Sequence, residues 1–408
     1  MAEKYEHPTN GITIDKVMSM LKRTLEIPQS MRATPFIWGP YGIGKSEMMR
    51  QLTEELCKEK TTKVLEGIEK ELKIAKTDED KEQIYRNAGM FQLKDKSWVA
   101  FDPKPIDIRL SLKDSGDVQG LPTFHIDHNG VKRTTWAIPD CFPSDPNWKG
   151  VIFFDEFNLG QMNVINACYQ ILAEFQLESI KFNPGILVVC AGNYTEIADN
   201  ATPLPAGINS RVNHIDMIAD IDSWIKWALN AGINSDIISF LKIKTNHFYD
   251  YDALVNGSRT LANPRAWVRA SAFLNLPGYD IEENLVSDIG GIIGDPKALE
   301  LKAFVKDSNR LQNPDEILKE GKDFKSESIN GFYGCFISLI SKLNGLTGKE
   351  LESGMKNVGK ALIKLEKREL KAFATQTIMG NNKISDYIAD NDPDFLIEMS
   401  KHIAGVKK

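Results

Sequence analysis

The run Gly39-Pro40-Tyr41-Gly42-Ile43-Gly44-Lys45-Ser46 spaces a glycine, four residues, a second glycine, a lysine and a serine. That is the Walker A pattern, and each residue type in it has a task. Gly42 and Gly44 let the backbone approach an anion with no side chain between. Amide hydrogens freed at a helix start would face the anion, Lys45 would reach its outer oxygens, and the Ser46 hydroxyl would serve a magnesium ion. Further along, Asp155-Glu156 closes the apolar run Val151-Ile152-Phe153-Phe154, which matches a Walker B element. Asp155 suits holding the metal, directly or through its water, and Glu156 suits polarising an attacking water. Asn193 ends another apolar run. It either caps a turn or positions that water and senses a terminal phosphate. The chemistry these residues imply is binding and cleavage of a phosphoanhydride.

Such groups need a scaffold, and the flanking residues supply its pattern. Thr34-Pro35-Phe36-Ile37-Trp38 reads as a strand entering the loop, and Glu47-Met48-Met49-Arg50 opens a helix expected to run to about Cys57. Val151 to Phe154 and Gly185 to Gly192 are continuous apolar runs, suited to parallel strands buried on both faces. Pro105 to Ser111 alternates as a strand. The fold class expected is α/β, a phosphate-loop parallel sheet flanked by helices. Ile14, Val17, Met18, Leu21 and Leu25 recur at helical spacing over residues 13 to 26, and Met162, Ile165, Tyr169 and Leu172 share a helical face through Phe175. Residues 58 to 86 are dominated by lysine and glutamate around a stripe of Val64, Leu65, Ile68, Leu72 and Ala75. They read as a helical extension or hairpin inserted in the core, its charges forming either a solvated face or a docking surface. A β-hairpin is expected near 123 to 137, turning at Asp127-His128-Asn129-Gly130. His125 and His128 lack a third metal ligand at a recognised spacing and are read as hairpin residues. Beyond residue 218 the pattern becomes helical. Residues 219 to 305 form one helical segment, and 306 to 408 a helical C-terminal extension.

Composition bounds the function. The 408 residues, with 42% hydrophobic and 26% charged content, describe a globular chain long enough for two or three domains. A net charge of -6 gives no case for broad attraction to nucleic acid. Five scattered cysteines, Cys57, Cys141, Cys168, Cys190 and Cys335, read as free and mostly buried thiols of a reducing compartment. Met1 to Asn10 lacks the apolar core of a secretory signal, and no run is long enough to cross a bilayer. The expected location is cytoplasmic, in the host cytoplasm if the chain is viral.

Asp155-Glu156, Asn193, Arg211 and Pro264-Arg265, with Asp107-Ile-Arg109-Leu-Ser and Asp117-Val-Gln-Gly120-Leu-Pro122, give a set that resembles the AAA+ ATPases, specifically the MoxR-like branch. The likeness spans roughly residues 10 to 300 and includes the hairpin ahead of the Walker B run. Ser210-Arg211-Val212 stands where members commonly carry Asp-Arg-Phe. The resemblance implies ATP hydrolysis with magnesium as cofactor, coupled to remodelling of a protein partner, often one with a von Willebrand factor A domain, by a homo-hexameric ring. It makes residues 219 to 305 a lid. It implies that Gly39, Pro40, Tyr41, Gly42, Ile43, Gly44, Lys45, Ser46 and Glu47 bind the nucleotide, and that Ser46 and Asp155 hold the metal. Lys45, Glu156, Asn193 (sensor 1), Arg211 (a finger offered to a neighbour's ATP) and Arg265 (sensor 2) would be catalytic. Two other functions compete: a motor subunit of a nucleic-acid-processing or viral complex, and a nucleotide-gated scaffold with little turnover. On residues alone, Arg211 also reads as a surface ion-pair arginine and Arg265 as a helix-start arginine.

Overall fold

A computed structural model describes residues 11–178, 180–198, 200–308, 312–325 and 329–391. The readings of Met1 to Asn10 and of the tail beyond residue 391 lie outside the described residues. Contacts divide the chain into two units, Met1–Ile218 and Ala219–Lys408.

The first unit opens with α1 (Ile14–Glu26), which buries Val17, Met18, Leu21 and Leu25, the stripe its spacing sets. Strand β1 (Thr34–Trp38) follows and delivers the chain to the glycine loop, after which α2 runs unbroken from Lys45 to Ile74. At about 1.5 Å per residue it is roughly 45 Å long. Its buried residues end at Leu56, so the remainder stands clear of the core. A turn leads to α3 (Asp78–Asn87), fixed by a capping box in which Thr77 and Asp80 exchange side-chain and backbone bonds. The charged stretch is thus the far half of α2 with α3 beside it, a helical hairpin.

Short strands β2 (Phe91–Gln92) and β3 (Trp98–Val99) pair antiparallel before β4 (Ile106–Arg109). Helix α4 (Ser115–Gln119) leads into β5 (Leu121–Ile126), which among the described residues pairs only with β6 (Lys132–Ala137). This hairpin begins two residues earlier than expected, and all its strand residues are exposed. Gly130 closes the turn with φ +78°, where a glycine is favoured. Then come β7 (Val151–Asp155), α5 (Met162–Ala167) and α6 (Tyr169–Glu174). The tiny pair β8 (Gln176–Leu177) and β9 (Ile180–Lys181) precedes β10 (Leu187–Gly192), α7 (Ala206–Asn209) and β11 (Val212–Asp216).

The main sheet has the order β11-β1-β10-β7-β4, and its pairings are parallel. All its carboxyl ends therefore meet at one edge, where open α/β sheets bind ligands. Every residue of β7 and β10 is buried, as strands covered on both faces require. Phe36, Ile108, Phe154 and Val188 pack on one face with Ile165, Ile171 and Ile208 from α5 to α7. This bears out the expected α/β class with a phosphate-loop sheet.

The second unit is helical: α8 (Ile221–Asn230), α9 (Ser235–Ile243), α10 (Tyr251–Val255), α11 (Pro264–Leu274), α12 (Ile281–Ile293) and α13 (Asp295–Ser308), then α14 (Pro314–Leu318), α15 (Ile329–Gly345), α16 (Gly348–Ile363), α17 (Arg368–Gly380) and α18 (Asn382–Asn391). One apolar core runs through it, from Trp224 and Trp267 to Phe336, Leu362 and Ile384. The helices expected for a lid and those expected for a C-terminal extension share that core. Among the described residues, no helix is long and apolar enough to cross a membrane.

Candidate functional site

Three segments far apart in sequence converge at the carboxyl edge of the sheet. Trp38, the last residue of β1, pairs with Gly192, the last of β10, so the glycine loop and Asn193 leave the sheet side by side. Lys45, buried at the first position of α2, donates from Nζ to Asn193 Oδ1 at 2.9 Å, and to the loop carbonyls of Gly39 at 2.6 Å and Pro40 at 3.2 Å. The adjacent Ser46 Oγ donates to Asp155 Oδ2 at 2.6 Å, joining α2 to the end of β7.

The loop owes its shape to backbone freedom at two points, Gly42 at φ +75° and Gly44 at φ +102°. Gly44 is also the N-cap of α2 and brings no side chain to bond the first-turn amides. Those amides, with the positive end of a long helix behind them, suit a phosphate. Tyr41 and Ile43 continue the loop, and Glu47 lies in the first turn of α2, within 3.3 Å of Arg50. At Gly39 a side-chain carbon would sit 2.5 Å from Ile43 Cδ1 and 3.0 Å from the Met217 carbonyl, so Ile43 would have to shift to admit one.

The residues fit a nucleotide with its magnesium. Ser46 and Asp155 offer oxygen donors, the kind magnesium takes, and leave room in the coordination shell for waters and phosphate oxygens. Among the described residues, no group of three or more His, Cys, Asp or Glu side chains could hold a metal by itself.

Glu156 adopts a left-handed backbone, φ 53° and ψ 37°, immediately after the buried strand, and its amide donates to Asp155 Oδ1 at 2.9 Å. Such a conformation is uncommon for a side-chain-bearing residue and turns the carboxylate off the strand direction. Its Oε2 accepts a hydrogen bond from Ser111 Oγ. Asp107 points to the same face as Asp155, since Arg109 pairs with Asp155 across β4 and β7 and Asp107 lies two residues earlier. Burial first, then the Asp155 charge, raises the Asp107 carboxyl above the usual carboxylate range, against the pull of Arg109 and Arg50.

Two site residues had no role assigned from sequence. Ser111 stood in the Asp107 to Ser111 strand pattern without a partner, because nothing local tells that its hydroxyl reaches Glu156. Asn158 left no signal either. It follows the acidic pair in a short 3-10 turn, Phe157–Leu159, where any polar residue passes for a loop residue. In the structure its side-chain amide bonds the backbone of Asn193 twice, donating to the carbonyl at 2.8 Å and accepting from the N–H at 3.1 Å.

Arg211 lies apart from this cluster. Arg211 immediately precedes β11, whose first residue Val212 pairs with Thr34 at the start of β1. The glycine loop follows the other end of β1, roughly 15 Å away at about 3.3 Å per residue. Arg211 is exposed, donating to the Gly207 carbonyl at 2.8 Å and to Ser210 Oγ at 3.2 Å, with its guanidinium 4.9 Å from the Tyr169 ring. Arg265 belongs to the second unit, exposed on the first turn of α11, whose N-cap Asn263 accepts the Ala266 amide at 2.9 Å.

No protein-family model matches the chain, and no curated protein matches it. Solved structures similar to it include NtrX from Brucella abortus, at 10% identity and a TM-score of 0.33, over 96% of this chain and 68% of that one. A single-substitution variant of RuvB from Thermotoga maritima is 12% identical with a TM-score of 0.30, over 84% of this chain and 85% of that one. PCH-2 from C. elegans is 12% identical with a TM-score of 0.29, over 73% of this chain and 68% of that one. At such values none of the three carries a functional argument, and the reading rests on the residues themselves.

Proposed function

We propose that this chain is an ATPase of the AAA+ kind, in its MoxR-like branch, that works as a homo-hexameric ring and couples hydrolysis to remodelling of a protein partner. The observation that carries the reading is that the first turn of α2 bonds two other segments at once, Lys45 to Asn193 and Ser46 to Asp155.

Lys45 exchanges its bonds to Gly39, Pro40 and Asn193 for oxygens of the outer phosphates, while the α2 amides bind the same anion. Ser46 and Asp155 would hold a magnesium ion, which would supply neutralisation of the phosphate charge. Glu156 orients the attacking water, and Asn193, released by Lys45, reads the terminal phosphate. Arg265 takes the sensor 2 role that the family resemblance implies. Arg211, set at the far end of β1 from its own loop, serves a neighbouring copy. Such a finger is worth about 10³ to 10⁵ in rate, or roughly 4 to 7 kcal/mol. The partner class proposed is a protein with a von Willebrand factor A domain, engaged through the β5–β6 hairpin, whose Phe124 and Ile126 are 67% and 74% exposed.

The deciding experiment compares two variants for nucleotide binding and phosphate release. Lys45→Ala should lose binding, whereas Glu156→Gln should bind ATP and lose turnover. Turnover retained by Glu156→Gln would remove that residue from its role, and tight ATP binding by Lys45→Ala would undo the site assignment.

A further inference from the structure

We propose that Asn158 is a positioning residue for Asn193, setting the aim of the amide that distinguishes ATP from ADP; this rests on the nucleotide reading above. Asn158 is 0% exposed and does not face the phosphate loop's anion site through any bond of its own. Both halves of its amide engage a single residue, Nδ2–H on the Asn193 carbonyl and Oδ1 on the Asn193 N–H. Two parallel bonds fix the peptide planes on either side of Asn193, and so the direction in which its side chain leaves the backbone. That direction matters because Asn193 Oδ1 lies 2.9 Å from Lys45 Nζ, and an amide displaced by about an ångström would miss the same target.

The surroundings keep the clamp rigid. The Asn158 carbonyl accepts the Thr202 N–H at 2.9 Å and the Thr202 hydroxyl at 3.2 Å, so Asn158 is itself tied to the segment leading to α7. Gly192 leaves it space: a side-chain carbon there would lie 2.8 Å from Asn158 Oδ1 and 2.9 Å from the Phe36 ring. β10 ends at Gly192, and the Asn158 amide takes over where the ladder stops, extending the strand's order by one residue.

The test uses the full chain and fluorescent ATP and ADP analogues, with phosphate release measured alongside. Asn158→Ala should bind ADP within about threefold of wild type, lose its preference for ATP, and drop in kcat by about 10- to 100-fold with a smaller change in KM. The double variant Asn158→Ala/Asn193→Ala should be within about twofold of Asn193→Ala alone, since residues acting as one unit are not additive. Asn158→Asp, which keeps the acceptor for the Asn193 N–H but loses the donor, should fall between. Independent, multiplicative effects of the two alanines, or ATP preference retained in a folded Asn158→Ala, would overturn the proposal. Loss of a cooperative thermal melt in both Asn158 variants would overturn it too, leaving Asn158 a stability residue. Wild-type protein that neither binds nor cleaves ATP overturns the nucleotide reading itself, and that outcome is seen before any variant is made.

Discussion

The Ser111 hydroxyl donates to the Glu156 carboxylate, and under the proposed function that bond restrains Glu156, the group that must orient water. A hydrogen bond to a charged group is worth about 1.5–3 kcal/mol, so Ser111→Ala should raise turnover in the absence of a partner by about 10- to 100-fold. Steady-state phosphate release checks this, and an unchanged rate would show that the bond breaks freely on nucleotide binding. Asp107 gives a second prediction, of opposite sense to most carboxylates. Its folded-state carboxyl is raised by burial and by the Asp155 charge, so the folded chain binds this proton more readily than the unfolded chain does. Stability therefore falls as pH rises from the ordinary carboxylate range of about 4. Asp107→Asn should melt higher than wild type at about pH 7, with the gap closing near pH 4. Melts at the two values settle it, and a gap that widened in acid would refute it.

Among elements, the strands feeding the site were the most legible in sequence. Thr34 to Trp38, Val151 to Phe154 and Gly185 to Gly192 are short, mostly apolar runs, and the sheet uses all three. Helix α2 was less so. It was expected to end near Cys57, yet it continues to Ile74, because the change there is from a buried face to a solvated one and not from helix to loop. Gly67 is the single glycine of that half, and bonds such as that between Lys73 and Glu69, four residues apart, replace core contacts. The helical face read through Phe175 is likewise two helices, broken at Cys168. Arg32 was invisible as a structural residue. Buried at 7% exposure, it donates to the carbonyls of Leu25, Ile27, Pro184 and Ile186 and stitches α1 to the approach of β10. Burial lowers its affinity for the proton, with Glu26 opposing. Arg32→Met strands those acceptors, and denaturant unfolding should show a loss of about 3 kcal/mol; a loss below half that would mean water reaches the carbonyls.

At the scale of the whole molecule, the chain divides at Ile218 into a sheet unit and a helical unit, each with its own core. Residues 306 to 391 read as a helical extension, and Phe332, Phe336, Leu362 and Ile384 there join the core that residues 219 to 305 also build. All five cysteines are free, with Cys168, Cys190 and Cys335 buried, and burial pushes each of those thiols up. The placement of Arg211 makes a prediction that belongs to the assembly. Glu156→Gln and Arg211→Ala chains, each inactive alone, should recover activity when mixed, because one supplies an intact finger and the other an intact acid. No recovery in demonstrably mixed oligomers would return Arg211 to a role within its own chain, on Tyr169 and Gly207.

The separation of Arg211 from its own glycine loop by the length of β1 then has a protective side. A solitary copy, freshly made or shed from its neighbours, would carry fuel without igniting it. Dilution alone would silence the population, and crowding of copies on a target would switch it on.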